Sequence, residues 1–161
     1  MDITMTNKKK PLHDAAMIIT REYAKRTCEF EIDLEMVNRP QHENEFVNQV
    51  RAWSTSTPNR RCFLMCCTIA ALDDTYMPVS TIRKRLDISR ATIDTMINEC
   101  EEAGWITVKR DKKGHRSLRS EDCTVECMLT YLEFLHTCVA KYDINSFSVA
   151  YTQLQKLAHN K

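Results

Sequence analysis

The stretch "STIRKRLDISRATIDTMINECEEAGWITVKRDKKGHRSLRS", residues 80–120, decides the fold of this chain. Its pattern predicts a brief helix over 81–86, a tight turn, and a longer helix over 89–103. The chain contains only two glycines, and both lie in this stretch. Gly104 is predicted to end the longer helix as a left-handed cap. Gly114 is predicted to supply the positive φ of a tight turn between two short strands.

The longer helix has two chemically different faces. One face carries apolar residues that pack against Leu86 and Ile88, namely Ile93, Met96, Ile97 and Cys100. Such packing fixes two helices at a steep angle, as in a helix-turn-helix. The other face carries short or polar groups that suit the base edges of a major groove, namely Arg90, Ala91, Asp94, Thr95 and Asn98.

The starts of both helices carry hydroxyl residues. Ser80 is predicted to cap the brief helix and Ser89 to cap the longer one. Ser89, Arg90 and Thr92 share the first turn of the longer helix, where the helix dipole and the free N–H groups favour a phosphate. Ser80, Ser89 and Thr92 are therefore candidate DNA contacts, together with the polar face of the longer helix.

The hairpin that follows, 106–120, concentrates positive charge. Residues 107–119 hold six Lys and Arg against one acid, a local charge of +5, whereas the whole chain has a net charge of only +1. A solvated hairpin is the simplest interpretation of such a run, but next to a helix-turn-helix it predicts contact with phosphates or a narrow minor groove. The candidate contacts are Lys109, Arg110, Lys112, Lys113, His115, Arg116 and Arg119.

Residues 80–120 resemble the DNA-binding core of MarR-type winged helix-turn-helix transcriptional regulators. The similar parts are Leu86–Asp87–Ile88–Ser89–Arg90, Glu102–Ala103–Gly104–Trp105–Ile106, and the wing from Asp111 to Arg116. The resemblance implies a mainly α fold with a small β wing, flanked by N- and C-terminal dimerisation helices. It implies a cytoplasmic homodimer that binds palindromic double-stranded DNA, with a pocket for a small-molecule effector. It also implies that Asp111 and Arg116 hold the hairpin.

The chain divides into four predicted segments. They are a disordered basic start at 1–11, a helical extension at 12–56, the winged core at 57–120, and dimerisation helices at 121–161. Scarce Gly and Pro favour helices throughout. The stretch "EFEIDLEM", 29–36, alternates acidic and apolar residues, so it fits a strand, an acidic linker or a helix start equally well. No apolar run has the length of a membrane span, and no signal peptide is apparent.

Beyond residue 122 the pattern is helical and offers an association surface. Apolar residues spaced 4, 3, 4 and 3 apart form a short seam made of Met128, Leu132, Leu135, Val139 and Tyr142. Ile19 and Tyr23 near the N-terminus, and Phe147, Tyr151, Leu154 and Leu157 in the last helix, offer more such surface. These residues are the candidate dimer contacts.

Two other functions are weighed against DNA binding. A winged helix can serve as a protein-interaction adaptor, for a polymerase or a replication factor, because a fold does not fix a function. The acids Asp94, Glu99, Glu101 and Glu102 favour that alternative, and the basic wing opposes it. An enzyme is not expected, because there is no phosphate loop, nucleophile elbow or recognisable pair of catalytic carboxylates. No cofactor is expected.

The eight cysteines are interpreted as reduced thiols that mostly fill the core. The pairs Cys62/Cys66 and Cys123/Cys127 would form a zinc site only if two helix faces met, so core filling is favoured and no metal is predicted. Cys28 lies beside basic residues, which suits either a redox-sensing thiol or an incidental surface cysteine. The five histidines show no ligand spacing.

Overall fold

The structure is a computed structural model that describes residues 9–36 and 41–159 of the 161, with side chains described for 14–34 and 41–157. Its helices are α1 (Lys9–Met36), α2 (Glu45–Thr55), α3 (Pro58–Leu72), α4 (Val79–Leu86), α5 (Arg90–Glu102), α6 (Asp122–Tyr142) and α7 (Ile144–His159). Its strands are β1 (Met77–Pro78), β2 (Ile106–Arg110) and β3 (Arg116–Ser120). The strands form one antiparallel sheet in the order β1-β3-β2. A helix-turn-helix followed by a wing, within a mainly α chain, confirms the predicted fold class.

The described residues form two compact units, one made of residues 9–36 with 133–159 and the other of residues 41–132. Among the described residues, none of the helices is long and apolar enough to cross a bilayer. The proposed functional division at residues 11, 56 and 120 stays a prediction.

The 41–132 unit is built on an apolar core shared by its helices and its sheet. Its fully buried residues include Val47, Val50, Phe63, Cys67, Ile82, Ile93, Ile97, Cys100 and Leu118. The helix starts follow local chemistry. The Thr57 hydroxyl of α3 accepts the Arg60 N–H, with Pro58 in the first turn, and the Ser89 hydroxyl of α5 accepts the Thr92 N–H. The cap predicted at Ser89 is confirmed.

The predicted cap at Ser80 is wrong. The helix α4 begins at Val79, directly after Pro78, and no side chain caps it. Pro78 fixes φ at −58°, which is already suited to a helix start, so the helix begins ahead of the serine. Ser80 is the second residue of α4 and is exposed.

Both glycines adopt the backbone conformation that the sequence predicts. Gly104 follows the end of α5 with φ +73°, and Gly114 lies in the wing turn with φ +79°. A Cβ at either position would meet no atom within 4 Å. Both positions therefore favour glycine because of the left-handed backbone conformation, and not because a larger side chain would lack space.

Burial explains most of the cysteines. Cys66, Cys67, Cys100, Cys127 and Cys138 are buried free thiols, whereas only Cys28 and Cys62 are exposed. Burial raises the pKa of the Cys100 thiol to about 12, so it stays protonated and packs as a small apolar side chain. Within the described residues, no three Cys, His, Asp or Glu side chains are grouped as a metal site requires.

In the other unit, α1 packs against α7 and continues unbroken to Met36. The strand and linker interpretations of 29–36 are therefore wrong. The segment is helical but forms the end of α1 rather than a helix start, and its Asp33 accepts hydrogen bonds from Lys141 Nζ at 2.7 Å and Tyr142 Oη at 2.6 Å. The hydrogen bond from Lys141 is the main cause that lowers the pKa of Asp33.

Residues 9–11, the last three of the predicted disordered start at 1–11, form the first turn of α1. Residues 1–8 lie outside the described part of the chain. Near the other end, Asp143 separates α6 from α7 with φ +52°.

Candidate nucleic-acid interface

The helix α5 has its apolar side in the core, as predicted. Ile93, Met96, Ile97 and Cys100 are each at most 3% exposed. Leu86 and Ile88 pack against the same cluster and hold α4 and α5 together. Asp87 makes the turn between them with φ +51°, a conformation that Asp tolerates better than most residues. The opposite side of α5 therefore faces away from the core.

That opposite side presents the predicted polar groups. Arg90, Ala91, Thr92, Thr95 and Asn98 are all exposed, and Asp94 is half-buried. Two of the hydroxyls already have partners. The Thr92 hydroxyl lies 2.8 Å from that of Ser89, and the Thr95 hydroxyl donates to the Ala91 carbonyl at 3.0 Å. Arg90 is the longest side chain on this face.

An open cleft of about 580 Å³ lies between the start of α4, the start of α5 and the wing. Its basic lining is made of Arg83, Arg90, Arg116 and His115, and its acidic lining of Asp94 and Asp111. Ser80, Gly114 and Ser117 complete the polar wall. Concentrated guanidinium groups in a concave surface attract an anion such as a phosphate. The cleft therefore joins residues of the helix-turn-helix and the wing in one surface that three arginines line.

Arg83 lines the cleft, although it is not among the residues predicted from the sequence. The signal was present, because the basic run Arg83, Lys84 and Arg85 ends α4, and the structure leaves all three exposed. It was overlooked because basic residues in the last turn of a helix also complement the helix dipole. Only the cleft distinguishes Arg83 from its two neighbours.

Asp111 holds the turn of the wing. Its Oδ1 accepts the backbone N–H groups of Lys113 and His115, each at 2.8 Å, and its Oδ2 lies 3.0 Å from Nδ1 of His115. The hydrogen bonds with His115 and Lys113 lower the pKa of Asp111, so this clasp is intact at neutral pH and is lost only as pH falls through that lowered value. Lys112 and Lys113 project at the tip, where the described residues offer neither ammonium an ion-pair partner.

Arg116 connects the wing to α5. Its guanidinium donates to the Asp94 carboxylate, and Arg90 Nε lies 3.8 Å from the other oxygen of the same carboxylate. The resemblance implied that Asp111 and Arg116 together hold the hairpin. In the structure Asp111 holds the hairpin, whereas Arg116 pairs with the helix and so links the two candidate DNA-binding elements.

Three other basic candidates have partners away from the cleft. Arg110 pairs with Glu101 at 3.3 Å, and Arg119 pairs with Asp74 at 2.7 Å. Lys109 and Arg119 lie over the Tyr76 ring, 5.4 and 6.0 Å from its centre. Because Leu118 and Ser120 on either side of Arg119 are buried, Arg119 lies on the outer face of the sheet. The structure thus groups Lys112, Lys113, His115 and Arg116 at the tip and cleft, and separates Lys109, Arg110 and Arg119 from them.

The acids of α5 are mostly paired inside the chain. Asp94 pairs with Arg116, Glu99 with Arg60 at 2.8 Å, and Glu101 with Arg110. Glu102 is exposed at the end of the helix. The acidity that the sequence suggests as an obstacle to DNA is therefore largely neutralised by basic side chains from other elements.

Several of the candidate dimer residues make contacts within the protomer. Most are half-buried, namely Ile19, Tyr23, Met128, Leu135, Val139, Tyr142, Phe147, Tyr151 and Leu154. The rings of Tyr23 and Tyr151 are 5.6 Å apart, the Arg26 guanidinium lies 4.6 Å from the Phe147 ring centre, and Tyr142 donates to Asp33. Leu132 and Leu157 stay 49% and 57% exposed. Several apolar residues that were not predicted are also exposed on these helices, namely Met17, Ile18, Ile32, Leu129 and Val149.

Cys28 is exposed, as predicted. Its basic neighbours have acidic partners, because Lys25 lies 3.9 Å from Glu29 and Arg26 lies 2.9 Å from Glu22. Lys25 and Arg26 therefore pair with carboxylates, and neither is reserved for the Cys28 thiol. The hypothesis of a redox-sensing thiol stays a prediction.

Comparison with known proteins supports the fold through structure alone. No protein-family model and no curated protein matches the sequence. AbfR in its disulfide form is similar over 96% of this chain and 97% of its own, with a TM-score of 0.53 and 17% identity. This similarity supports a winged helix-turn-helix fold. HlyU from Vibrio cholerae N16961 is similar over 60% of this chain and 99% of its own, with a TM-score of 0.46 and 14% identity. Reduced AbfR bound to DNA is similar over 71% of this chain and 82% of its own, with a TM-score of 0.43 and 18% identity.

Proposed function

We propose that this chain is a cytoplasmic, MarR-type transcriptional regulator that binds double-stranded DNA. The helix at 89–103 enters the major groove, and the wing at 106–120 contacts phosphates or the minor groove. The observation that carries the proposal is the cleft, because α5 and the wing tip border it together and three arginines line it. The proposed role is binding rather than catalysis.

The charges of this surface suit a duplex. Arg83, Arg90 and the wing-tip lysines supply cations that phosphates require, whereas Arg90, Thr92 and Thr95 lie where base edges are read. Asp94 holds Arg116 beside the helix. The helix-turn-helix and the wing therefore approach the DNA as one body.

The first prediction concerns the wing tip. Changing both Lys112 and Lys113 to Ala should weaken binding to all sequences alike and reduce the slope of log K against log salt by about two, because each lysine releases about one counterion. Fluorescence anisotropy with a labelled duplex at several salt concentrations measures this slope. Removing the same charge at Lys25 and Lys156, both exposed in the other unit, is the matched control. Unchanged affinity and slope in the wing variant would place the wing away from the DNA.

We further propose that the chain is an isologous homodimer joined through α1, α6 and α7. Exposed apolar residues on these helices support this proposal, because a monomer gains nothing by leaving Ile18, Ile32, Leu132, Val149 and Leu157 in water. Obligate interfaces of this kind bury upwards of about 2,000 Å². A two-fold dimer places two recognition helices on a palindrome, with half-sites about one DNA turn apart.

The second prediction concerns assembly. Leu157→Asp and Leu132→Asp should each produce a folded monomer, because these side chains are exposed within the protomer and the charge is buried only at a dimer interface. Light scattering across a dilution series, with circular dichroism as the check on folding, measures the change. Leu72→Asp, at an exposed apolar position on α3, is the control and should stay dimeric. A wild type that is monomeric and folded at micromolar concentration would exclude the dimer and the palindromic site.

A further inference from the structure

Glu99, one of the acids of α5, lies at the centre of a polar cluster that links three helices. Its Oε2 accepts a hydrogen bond from Trp53 Nε1 of α2 at 2.7 Å. Arg60 of α3 donates from Nη2 to both carboxylate oxygens, at 3.1 and 2.8 Å. The Arg60 guanidinium also lies 4.8 Å from the centre of the Trp53 ring and donates to the Ser56 hydroxyl at 3.0 Å. One carboxylate thus connects α5 to both α2 and α3.

The cluster continues into the core. The Trp53 ring packs edge-on against Trp105 and Phe63, with centroid separations of 5.8 and 6.3 Å. The side chains of Arg60 and Glu99 are only 29% and 37% exposed, so water and salt screen their interaction less than that of a surface pair. Charge-assisted hydrogen bonds with this geometry are the stronger kind. The contact is therefore well suited to hold α5 at one orientation.

The position of Glu99 along the helix supports a specific role. It lies in the last turn of α5, where the negative end of the helix dipole disfavours a carboxylate. Arg60, which lies 39 residues earlier in the chain, compensates for that cost. Helix formation or solubility alone would not require the side chain at this position to bind Trp53 of α2 and Arg60 of α3.

We propose that Glu99 is a positioning residue for DNA binding, and this inference rests on the proposed function. Through Trp53 and Arg60 it fixes the angle at which α5 leaves the core, and so it places Arg90 and Thr95 at the major groove. Glu99 itself does not contact DNA. Its negative charge, which by itself repels phosphates, is outweighed by the orientation that it maintains.

The direction in which Glu99→Ala changes the affinity for DNA distinguishes a positioning role from simple repulsion of phosphates. If Glu99 only repels DNA, removing its charge tightens binding. If Glu99 positions α5, Glu99→Ala weakens binding to a labelled duplex at least tenfold, and Glu99→Gln weakens it less, because the amide oxygen still accepts from Trp53. Glu102→Ala is the matched control on the same helix, and it should leave affinity equal or slightly higher.

A double-mutant cycle tests whether Glu99 acts through Arg60. Arg60→Ala should weaken binding about as much as Glu99→Ala, and the double variant should be no weaker than either single variant. Additive losses would overturn the inference, because they would show that the two residues act separately. Circular dichroism checks that each variant is folded, and where Glu99→Ala is not folded, the comparison of Glu99→Gln with Glu102→Gln carries the same prediction.

A measurement without DNA separates the two possible failures. The chain has two tryptophans, so its NMR spectrum contains two indole N–H signals, and Trp53→Phe assigns them. Glu99→Ala should shift the Trp53 indole signal of the full-length protein, and Glu102→Ala should leave it unchanged. A Trp53 signal insensitive to Glu99, or an unchanged or raised DNA affinity in Glu99→Ala, overturns this inference alone. A wild type that binds no duplex overturns the proposed function, and with it the role of Glu99 in DNA binding.

Discussion

Replacing Arg116 by alanine is expected to weaken DNA binding by about 2–3 kcal/mol, or roughly thirty- to a hundred-and-fifty-fold. Arg116 is only 23% exposed and pairs with Asp94, which lies on the DNA-facing side of α5. Its loss removes a cation from the cleft, frees the wing from the helix, and leaves a carboxylate without its main partner near the phosphates. The three effects act in the same direction, so a single substitution has a large result.

Two control variants separate these effects. Arg119→Ala removes the same charge from the same strand but at the outer face, so it should cost much less affinity. Adding Asp94→Asn to Arg116→Ala should recover part of the loss, because it removes the orphaned negative charge. Anisotropy titrations of the four proteins at one salt concentration make the comparison. Equal losses in Arg116→Ala and Arg119→Ala would show that the cleft has no special role.

The largest expected effect on stability comes from Phe63. Phe63→Ala should lower the free energy of unfolding by about 3–5 kcal/mol, because the side chain is fully buried and its removal leaves a cavity. Its ring also contacts Trp53, on which the orientation of α5 depends. Urea unfolding monitored by circular dichroism gives the change.

Leu72→Ala on the same helix is the control for Phe63. Leu72 is 66% exposed, so its truncation should change the free energy of unfolding by less than about 1 kcal/mol. Similar losses for both variants would mean that α3 does not pack through the face that the structure shows.

The features that the sequence predicted correctly depend on neighbouring residues. The cap at Ser89, the positive φ at Gly104 and Gly114, and the apolar side of α5 follow from side chains within one helical turn or one hairpin. Local rules of capping, turn chemistry and periodicity are sufficient there. For that reason the helix-turn-helix and the wing could be predicted without the structure.

The features that could not be predicted from the sequence depend on residues that are distant in the chain. The helical state of 29–36 is stabilised by Asp33 with Lys141, which is 108 residues away. The pairing of Asp94 with Arg116 spans 22 residues and that of Glu99 with Arg60 spans 39. No local pattern shows which acid meets which base, so the acids of α5 looked unpaired in the sequence.

The central claim is that α5 and the wing read a specific duplex as parts of a two-fold dimer. Selection of bound fragments from a random DNA pool, with purified full-length protein at near-physiological salt, tests it most directly. We predict enrichment of an inverted repeat whose half-sites lie about one helical turn, or 10 base pairs, apart. Recovery of unselected sequence after repeated rounds, together with tight binding to a protein partner, would contradict the claim and favour an interaction adaptor.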